Sequence, residues 1–248
     1  FTKTGKLMSP YTDIHSHILP KIDDGAENLD MSLEMLRTAF DNGIRRIILT
    51  PHNKPMRHNA GPEKMKELTQ ALLNELKKNN LEIELYNGNE IYYRSDILTL
   101  LEQKEALTMA ESDYVLVEFG PMDDFAYIRR GIYQLLSGGY RPILAHVERY
   151  SALRATSGCI QELAAMGCCI QVNAGSIMGQ YGLGTKLFTR KLLSKELVHF
   201  VATDAHDNGK RSPAMLTCMK FIERKYGKGQ AERIFVKNPD CILSNEYI

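Results

Sequence analysis

The sequence predicts an α/β fold in which seven short parallel strands alternate with helices and curl into a closed or nearly closed barrel. Three observations carry that expectation. A short apolar run ending in polar or charged residues, then a helical pattern, recurs from one end of the chain to the other. The runs are rich in Ile, Leu and Val without clear alternation, which suits a parallel sheet covered on both faces. Seven such units in 248 residues leave about 35 residues each, the size of one βαβ step. An open doubly wound sheet is the competitor. No Gly-x-Gly-x-x-Gly follows the first run, so its dinucleotide-binding version gains nothing.

The elements follow in order. Strands are expected over 11–14, 46–50, 82–86, 114–119, 142–145, 169–172 and 199–203. Met31, Met35, Leu36 and Ala39 share a helical face, and Asp41-Asn42-Gly43 supplies its stop. Pro62 suits a first helical position, and Met65, Leu68, Leu72 and Leu76 recur at three or four residues behind it. Further helices are expected over 124–136, 151–166, 185–193 and 213–226. No internal repeat or linker interrupts the series, so residues 1–248 are expected to form one domain.

Composition narrows the function. Apolar residues make up 44% of the chain, enough for a sizeable core. Lys plus Arg is 31 against 30 for Asp plus Glu. That balance argues against a general electrostatic grip on nucleic acid or anionic lipid. No apolar run approaches the roughly 18 residues of a membrane span, and no signal peptide is visible. The five cysteines, Cys159, Cys168, Cys169, Cys218 and Cys241, form no Cys-x-x-Cys pair. They are expected as small buried hydrophobes in a reducing, cytoplasmic compartment. Cys218 and Arg224 have a spacing suited to a thiolate acting on phosphate. The residues between them hold no glycine and read as an amphipathic helix, so thiol chemistry is rejected.

Barrel enzymes carry their chemistry at the C-terminal ends of the strands. Asp13, His15 and His17 follow the first strand here, His52 the second, Glu90 the third and Glu118 the fourth. His146 and Arg149 follow the fifth, Asn173 the sixth, and Asp204 and His206 the seventh. One histidine so placed would mean little. Five of the seven point to a common site; only His58 and His199 lie elsewhere. In extended chain, residues i and i+2 point the same way, so His15 with His17, and Asp204 with His206, can each reach one ion. Imidazole with carboxylate suits zinc, manganese or iron rather than calcium. His15, His17, Asp24, His52, Glu90, Glu118, His146, Asp204 and His206 are too many ligands for one ion and fit two or three. Four are carboxylates, so three divalent ions would leave a pocket of about +2, a charge that attracts a dianion such as a phosphate monoester.

Asp13-Ile14-His15-Ser16-His17-Ile18-Leu19-Pro20, running on to Asp23-Asp24-Gly25, resembles the opening motif of the PHP (polymerase and histidinol phosphatase) superfamily. More narrowly, it resembles the bacterial metal-dependent protein-tyrosine phosphatases of capsule and exopolysaccharide biosynthesis. Thr50-Pro51-His52, Gly88-Asn89-Glu90-Ile91-Tyr92, Val117-Glu118-Phe119, Ala145-His146-Val147-Glu148-Arg149-Tyr150, Val172-Asn173-Ala174-Gly175-Ser176 and Ala202-Thr203-Asp204-Ala205-His206 follow in that family's order. The resemblance spans residues 11–226.

It implies a distorted seven-stranded (β/α)7 barrel of the PHP type and three divalent metal ions. Manganese is the foremost candidate, with iron, zinc and magnesium as alternatives. It implies His15, His17, Glu90 and Asp204 around one ion, Glu90, Glu118 and His146 around a second, and Asp24, His52 and His206 around a third. Arg149 matches the family's phosphate-binding arginine, and Arg211 looks like the second, with Lys210 beside it. Asn173 is expected to hydrogen-bond the ligand, Glu148 to be a structural partner, and Tyr92 and Tyr150 to pack. The 53–61 loop, with Lys54, Arg57 and a surface His58, follows no pattern of the family.

The implied reaction is hydrolysis of phosphotyrosine by metal-bound hydroxide, on the tail of a bacterial tyrosine kinase. Tyrosinate, with a pKa of about 10, leaves without a strong general acid. The alternatives are a small-molecule phosphatase acting, for example, on histidinol phosphate, and a non-catalytic metal-stabilised binding module. A nucleic-acid phosphoesterase is disfavoured by the near-neutral charge.

Overall fold

The computed structural model describes residues 10–57 and 59–248, with Ser157 through its backbone; His58 lies outside the described residues. The strands are β1 (Tyr11–Ser16), β2 (Ile44–Leu49), β3 (His52–Asn53), β4 (Glu84–Asn87), β5 (Glu90–Tyr92), β6 (Tyr114–Glu118), β7 (Arg141–Leu144), β8 (Cys169–Asn173) and β9 (Phe200–Ala202). They form a three-stranded sheet, β1-β2-β4, and a six-stranded sheet, β3-β5-β6-β7-β8-β9. Every pairing is parallel. The class is therefore α/β, with a curled parallel sheet.

The curl shows in where the edges go. Past β9, Asp204 N donates to His15 O (2.9 Å) and His17 N donates to Ala205 O (2.8 Å). At the other edge, Glu90 N donates to Pro51 O (3.2 Å), Gly88 N to Leu49 O (2.9 Å) and Thr50 N to Ser16 O (2.9 Å). Both edges of the larger sheet are thus tied to the smaller one.

The second and third expected strands are each broken in two. Pro51 has no N–H to give a ladder, so β2 stops before it and β3 resumes after it. Gly88-Asn89 divides β4 from β5. The Asn89 side chain spans the gap: Nδ2 donates to Pro51 O (2.9 Å), and Oδ1 accepts from Leu107 N (2.8 Å). The third strand therefore covers Glu84–Asn87 and Glu90–Tyr92 rather than 82–86.

Alternate residues of one strand lie in different apolar clusters. Ile47, Leu49, Val115, Val117, Leu144 and Val201 belong to the larger cluster under the helices. Ile48, Tyr114, Leu116, Ile143, Phe200 and Ala202 belong to a second one, which Ile242 of the helix Asn238–Ser244 joins. Burial on both faces is the physical reason the strands read as continuous apolar runs.

The helix Leu29–Asp41 starts where the Asn28 side chain accepts from Met31 N (2.9 Å), and it buries Leu33, Met35, Leu36 and Ala39. The helix Pro62–Lys78 has its proline in the first turn. Asp124 caps Phe125–Ser137 through Tyr127 N (2.7 Å). The helices Leu183–Ser194 and Leu216–Tyr226 match expectation within a few residues. The single helix expected over 151–166 is two, Ser151–Ala155 and Ser157–Ala165. Thr156 between them is extended (φ −136°, ψ 104°), a conformation its β-branched side chain favours. Among the described residues no helix is long and apolar enough to cross a membrane.

Phe235 is fully buried and meets Tyr11 edge-on, with ring centroids 6.3 Å apart. Phe235→Ala should lower the unfolding free energy by about 3–5 kcal/mol. Urea unfolding followed by circular dichroism reads this, and a loss under 1 kcal/mol, on the order of a surface substitution, would contradict the packing.

Candidate metal centre

β1 points His15 into the molecule, and His17 follows just past its end. Their Nε2 atoms lie 3.3 Å apart, and both side chains are fully buried. Two other contributors stand on unusual backbone. His146 (φ 32°) and Asp204 (φ 53°) are in the left-handed region. There a non-glycine residue costs roughly 1–2 kcal/mol. Such conformations cluster at functional sites, where the surroundings enforce them.

Glu90 is the hub. Its Oε2 is 3.3 Å from His15 Nε2, 3.2 Å from His17 Nε2 and 2.9 Å from His52 Nδ1. Its Oε1 is 2.7 Å from His146 Nε2. Asp204 Oδ1 is 3.5 Å from both His15 and His17. Glu118 Oε1 is 3.2 Å from His52 Nδ1. Asp24 Oδ1 lies 3.4 Å from both His52 Nε2 and His206 Nε2. All nine side chains picked out in the sequence therefore converge.

The potential ligand atoms of eight of the nine gather in three groups, each within 4.8 Å: His15, His17, Glu90 and Asp204; His17, Asp24, His52 and His206; and His52, Glu90 and Glu118; His146 falls in none of them. This differs in detail from the grouping implied by resemblance. His17 and His52 are each shared, and His146 touches Glu90 while standing 3.8 Å from Glu118.

The donors suit a metal better than they suit one another. Glu90 Oε2, Glu118 Oε1 and His52 Nδ1 are buried and make no hydrogen bond despite their short separations. Proximity without hydrogen-bond alignment leaves these buried atoms with ligand capacity unused. Imidazole with carboxylate is a donor set for manganese, iron or zinc.

Charge tells the same story. Burial opposes protonation of His17, yet the Asp23 carboxylate prevails and lifts it to about 9. Burial would raise Asp23, but His17 holds it down at about 2. Burial likewise opposes ionisation of Glu90, and the imidazoles of His15 and His146 keep it well below the usual carboxylate range. The carboxylates demand positive charge, and a divalent cation meets that demand by displacing imidazole protons.

Four contributors were given no role at the site by the sequence reading, although Asp13, Asp23 and Lys54 were noted there in passing. Asp23 Oδ2 accepts from His17 Nδ1 (2.6 Å) and His52 N (3.0 Å), and Oδ1 from Gly25 N (3.0 Å). Gly25 makes that turn possible, since a Cβ there would stand 2.1 Å from His17 O. Gln171 Oε1 accepts from His15 Nδ1 (3.2 Å) and His146 N (2.8 Å), while its amide donates to Asn173 Oδ1 (2.8 Å). Asp13 accepts from Thr203 N (3.0 Å) and from the Thr203 hydroxyl; burial pushes its carboxyl up to about 6. Lys54 Nζ lies 3.2 Å from Glu118 Oε1 and 2.9 Å from His52 Nε2. Gln171 was within reach of sequence reasoning: it stands two residues before Asn173, on the same face of β8.

Two arginines face the cluster. Arg149 Nη2 is 2.5 Å, and Arg211 Nη2 3.0 Å, from Asp204 Oδ2. Asn173 Nδ2 donates to the same oxygen (2.8 Å). Lys210 gives its carbonyl to the Gln180 amide. Glu148 accepts from Asn173 N (2.9 Å), and the Tyr150 hydroxyl accepts from Phe119 N (3.2 Å), so both act within the protein. His199 Nδ1 accepts from Ile170 N (3.0 Å) beside β8. Cys218 is buried in the helix Leu216–Tyr226, and burial pushes its thiol up to about 12. A thiol held protonated is no nucleophile.

A curled parallel sheet with these donors at its strand ends defines an α/β protein built to hold metal ions. The family model for "Capsular polysaccharide synthesis, CpsB/CapC" matches residues 11–244, and the chain belongs to that family. It is 34% identical over 241 residues to tyrosine-protein phosphatase CpsB of Streptococcus pneumoniae, covering 95% of this chain and 99% of that one. It is 32% identical over 237 residues to tyrosine-protein phosphatase YwqE of Bacillus subtilis, covering 95% and 92%. A solved chain described under "Crystal structures of YwqE from Bacillus subtilis and CpsB from Streptococcus pneumoniae, unique metal-dependent tyrosine phosphatases" matches with a TM-score of 0.90 at 31% identity, over 96% of each chain.

Asp23→Asn should lower metal affinity about 10- to 100-fold while the chain stays folded, since the partner of a metal-binding histidine sets its orientation and basicity. Competition against a chromogenic chelator measures the change. Unaltered affinity would remove Asp23 from the site.

Proposed function

We propose that the chain is a metal-dependent protein-tyrosine phosphatase of capsular or exopolysaccharide synthesis, acting on a tyrosine-phosphorylated protein. The observation that carries this reading is the convergence of Arg149 and Arg211 on Asp204 Oδ2, beside eight grouped potential metal ligands and His146, which contacts Glu90. An anionic oxygen already marks the point where two guanidinium groups meet. Membership of a family whose named relatives are tyrosine phosphatases supplies the reaction class.

In this reading His15, His17, Asp24, His52, Glu90, Glu118, His146, Asp204 and His206 hold three divalent ions, manganese foremost. The ties of β1 to both edges of the six-stranded sheet support a distorted seven-stranded barrel of the PHP type. In that barrel β2 with β3, and β4 with β5, each count as one strand. Residues 1–248 are read as a single domain, cytoplasmic, with the tail of a bacterial tyrosine kinase as partner.

Divalent ions, when bound, polarise phosphoryl oxygens and make water an effective nucleophile at neutral pH. The rest falls to the chain. Arg149 and Arg211, with side chains 38% and 28% exposed, reach from the mouth and grip the phosphoryl oxygens. Asp204 orients both guanidinium groups, and Asn173 braces the same Asp204 oxygen. The spreading charge of the transition state is met by groups already in place. Tyrosinate departs with little need of protonation, because its conjugate acid has a pKa of about 10.

Phosphate release should be fast from a phosphotyrosine peptide with added manganese, slow from its phosphoserine twin and from histidinol phosphate, and absent after chelation. His15→Ala and Glu118→Ala should both abolish turnover with the fold retained, whereas Cys218→Ser should keep it. Preference for histidinol phosphate would move the protein to small-molecule chemistry. Undiminished turnover in both ligand variants would sink the metal mechanism.

A further inference from the structure

A cleft of about 460 Å³ opens beside the metal centre, lined by Asp23, Asp24, His52, Lys54, Arg57 and Asn59 among others. Its charges are unevenly spoken for. Asp23 is engaged by His17 and the backbone, and Asp24 faces His52 and His206. Lys54 and Arg57 are the cations of the wall.

The loop that carries Lys54 is braced. The Asn59 amide oxygen accepts from Lys54 N (2.9 Å), and its Nδ2 donates to Lys54 O (2.9 Å). One side chain thus closes the loop through both main-chain groups of Lys54. The Lys54 ammonium lies 3.2 Å from Glu118 Oε1 and 2.9 Å from His52 Nε2, with its side chain one-third exposed, so among the described residues of the wall Arg57 is the cation with no such engagement and Lys54 adds its charge from a fixed position. Arg57 is exposed. These cations are separate from the phosphate-gripping pair: Arg149 and Arg211 stand on Asp204, after β9, whereas Lys54 stands on Glu118, at the end of β6.

We infer that Lys54 and Arg57 form an anion subsite that engages a negatively charged group on the substrate polypeptide next to the phosphotyrosine. The inference rests on the phosphatase reading above and adds a preference to it. A phosphotyrosine seated at the metal centre extends its chain outward across the mouth, and the cleft wall offers that chain positive charge. A carboxylate side chain and a second phosphotyrosine have the chemistry the subsite takes. Asn59 is a positioning residue for Lys54.

The test compares kcat/KM, with manganese, for three phosphotyrosine peptides of equal length: one with neutral flanks, one with flanking glutamates and one with a second phosphotyrosine. An anionic flank should raise kcat/KM about fivefold or more, chiefly through KM, and added salt should erase the gain. Gain with glutamate identifies a carboxylate as sufficient; gain with the second phosphotyrosine alone identifies phosphate. Arg57→Ala and Lys54→Ala should each flatten the ratio between anionic and neutral peptides, and Arg57→Lys should restore it. Asn59→Ala should flatten it partway. Fluorescence anisotropy with non-hydrolysable phosphonate versions of the peptides should give the same order of Kd. Equal kcat/KM for all three peptides in the parent protein, or a ratio unmoved in both alanine variants, overturns the subsite. No turnover of any peptide with metal bound overturns the phosphatase reading instead.

Discussion

Glu90 keeps its carboxylate 1% exposed, with four imidazoles within 3.3 Å of its two oxygens. A buried charge of that kind costs several kcal/mol unless opposite charge lies against it. The imidazoles come from the end of β1, from β3 and from the turn after β7, and only parallel strand ends brought side by side can deliver them to one point. The same demand accounts for the backbone. His146 and Asp204 accept left-handed conformations, and β2 and β4 break so that His52 and Glu90 restart in register as partners. The framework is bent around the charges it must bring together.

That dependence explains which parts could be read from the chain. Alternating strands and helices were legible because both sheet faces are buried, as the division of Ile47 and Ile48 between two clusters shows. Eight of the nine potential ligands were legible because they stand at or near strand ends and carry conspicuous chemistry; Asp24, in the turn after β1, was legible through the opening motif. The strand breaks were not. Pro51 signals a missing donor, but the repair by Asn89 is a contact across 38 residues. The helix break at Thr156 involves one extended residue, which periodicity does not detect. Gln171 shares a face of β8 with Asn173, but that it meets His15, across 156 residues, is not written in that alternation. The sharing of His17 and His52 between groups of ligands is likewise a property of space, which no spacing along the chain encodes.

Asp204 joins the two halves of the chemistry. One oxygen faces His15 and His17, and the other takes Arg149, Arg211 and Asn173. Burial works against its ionisation, and His15 and Arg149 hold its pKa below the usual carboxylate range all the same. A change in charge on the metal side is therefore felt directly by the arginines. Conversely, the arginines can turn toward a phosphoryl group only if Asp204 has other positive charge to face. One cation-binding demand and one anion-binding demand meet in a single carboxylate.

The same arrangement explains why the chain needs no cysteine nucleophile for this chemistry. A thiolate phosphatase concentrates its nucleophile and its phosphate cradle in one loop at a helix N-terminus, where backbone N–H groups lower the thiol pKa. Cys218 sits inside the helix Leu216–Tyr226 with its thiol pushed up to about 12, and it has no cradle. The strand ends instead carry separate chemistries: carboxylates and imidazoles able to hold cations, and two guanidinium groups that meet at Asp204. The loop bearing Lys54 and Arg57 is tied to that centre at one residue: Lys54 contacts Glu118 and His52, whereas Arg57 is exposed and is the position freer to vary.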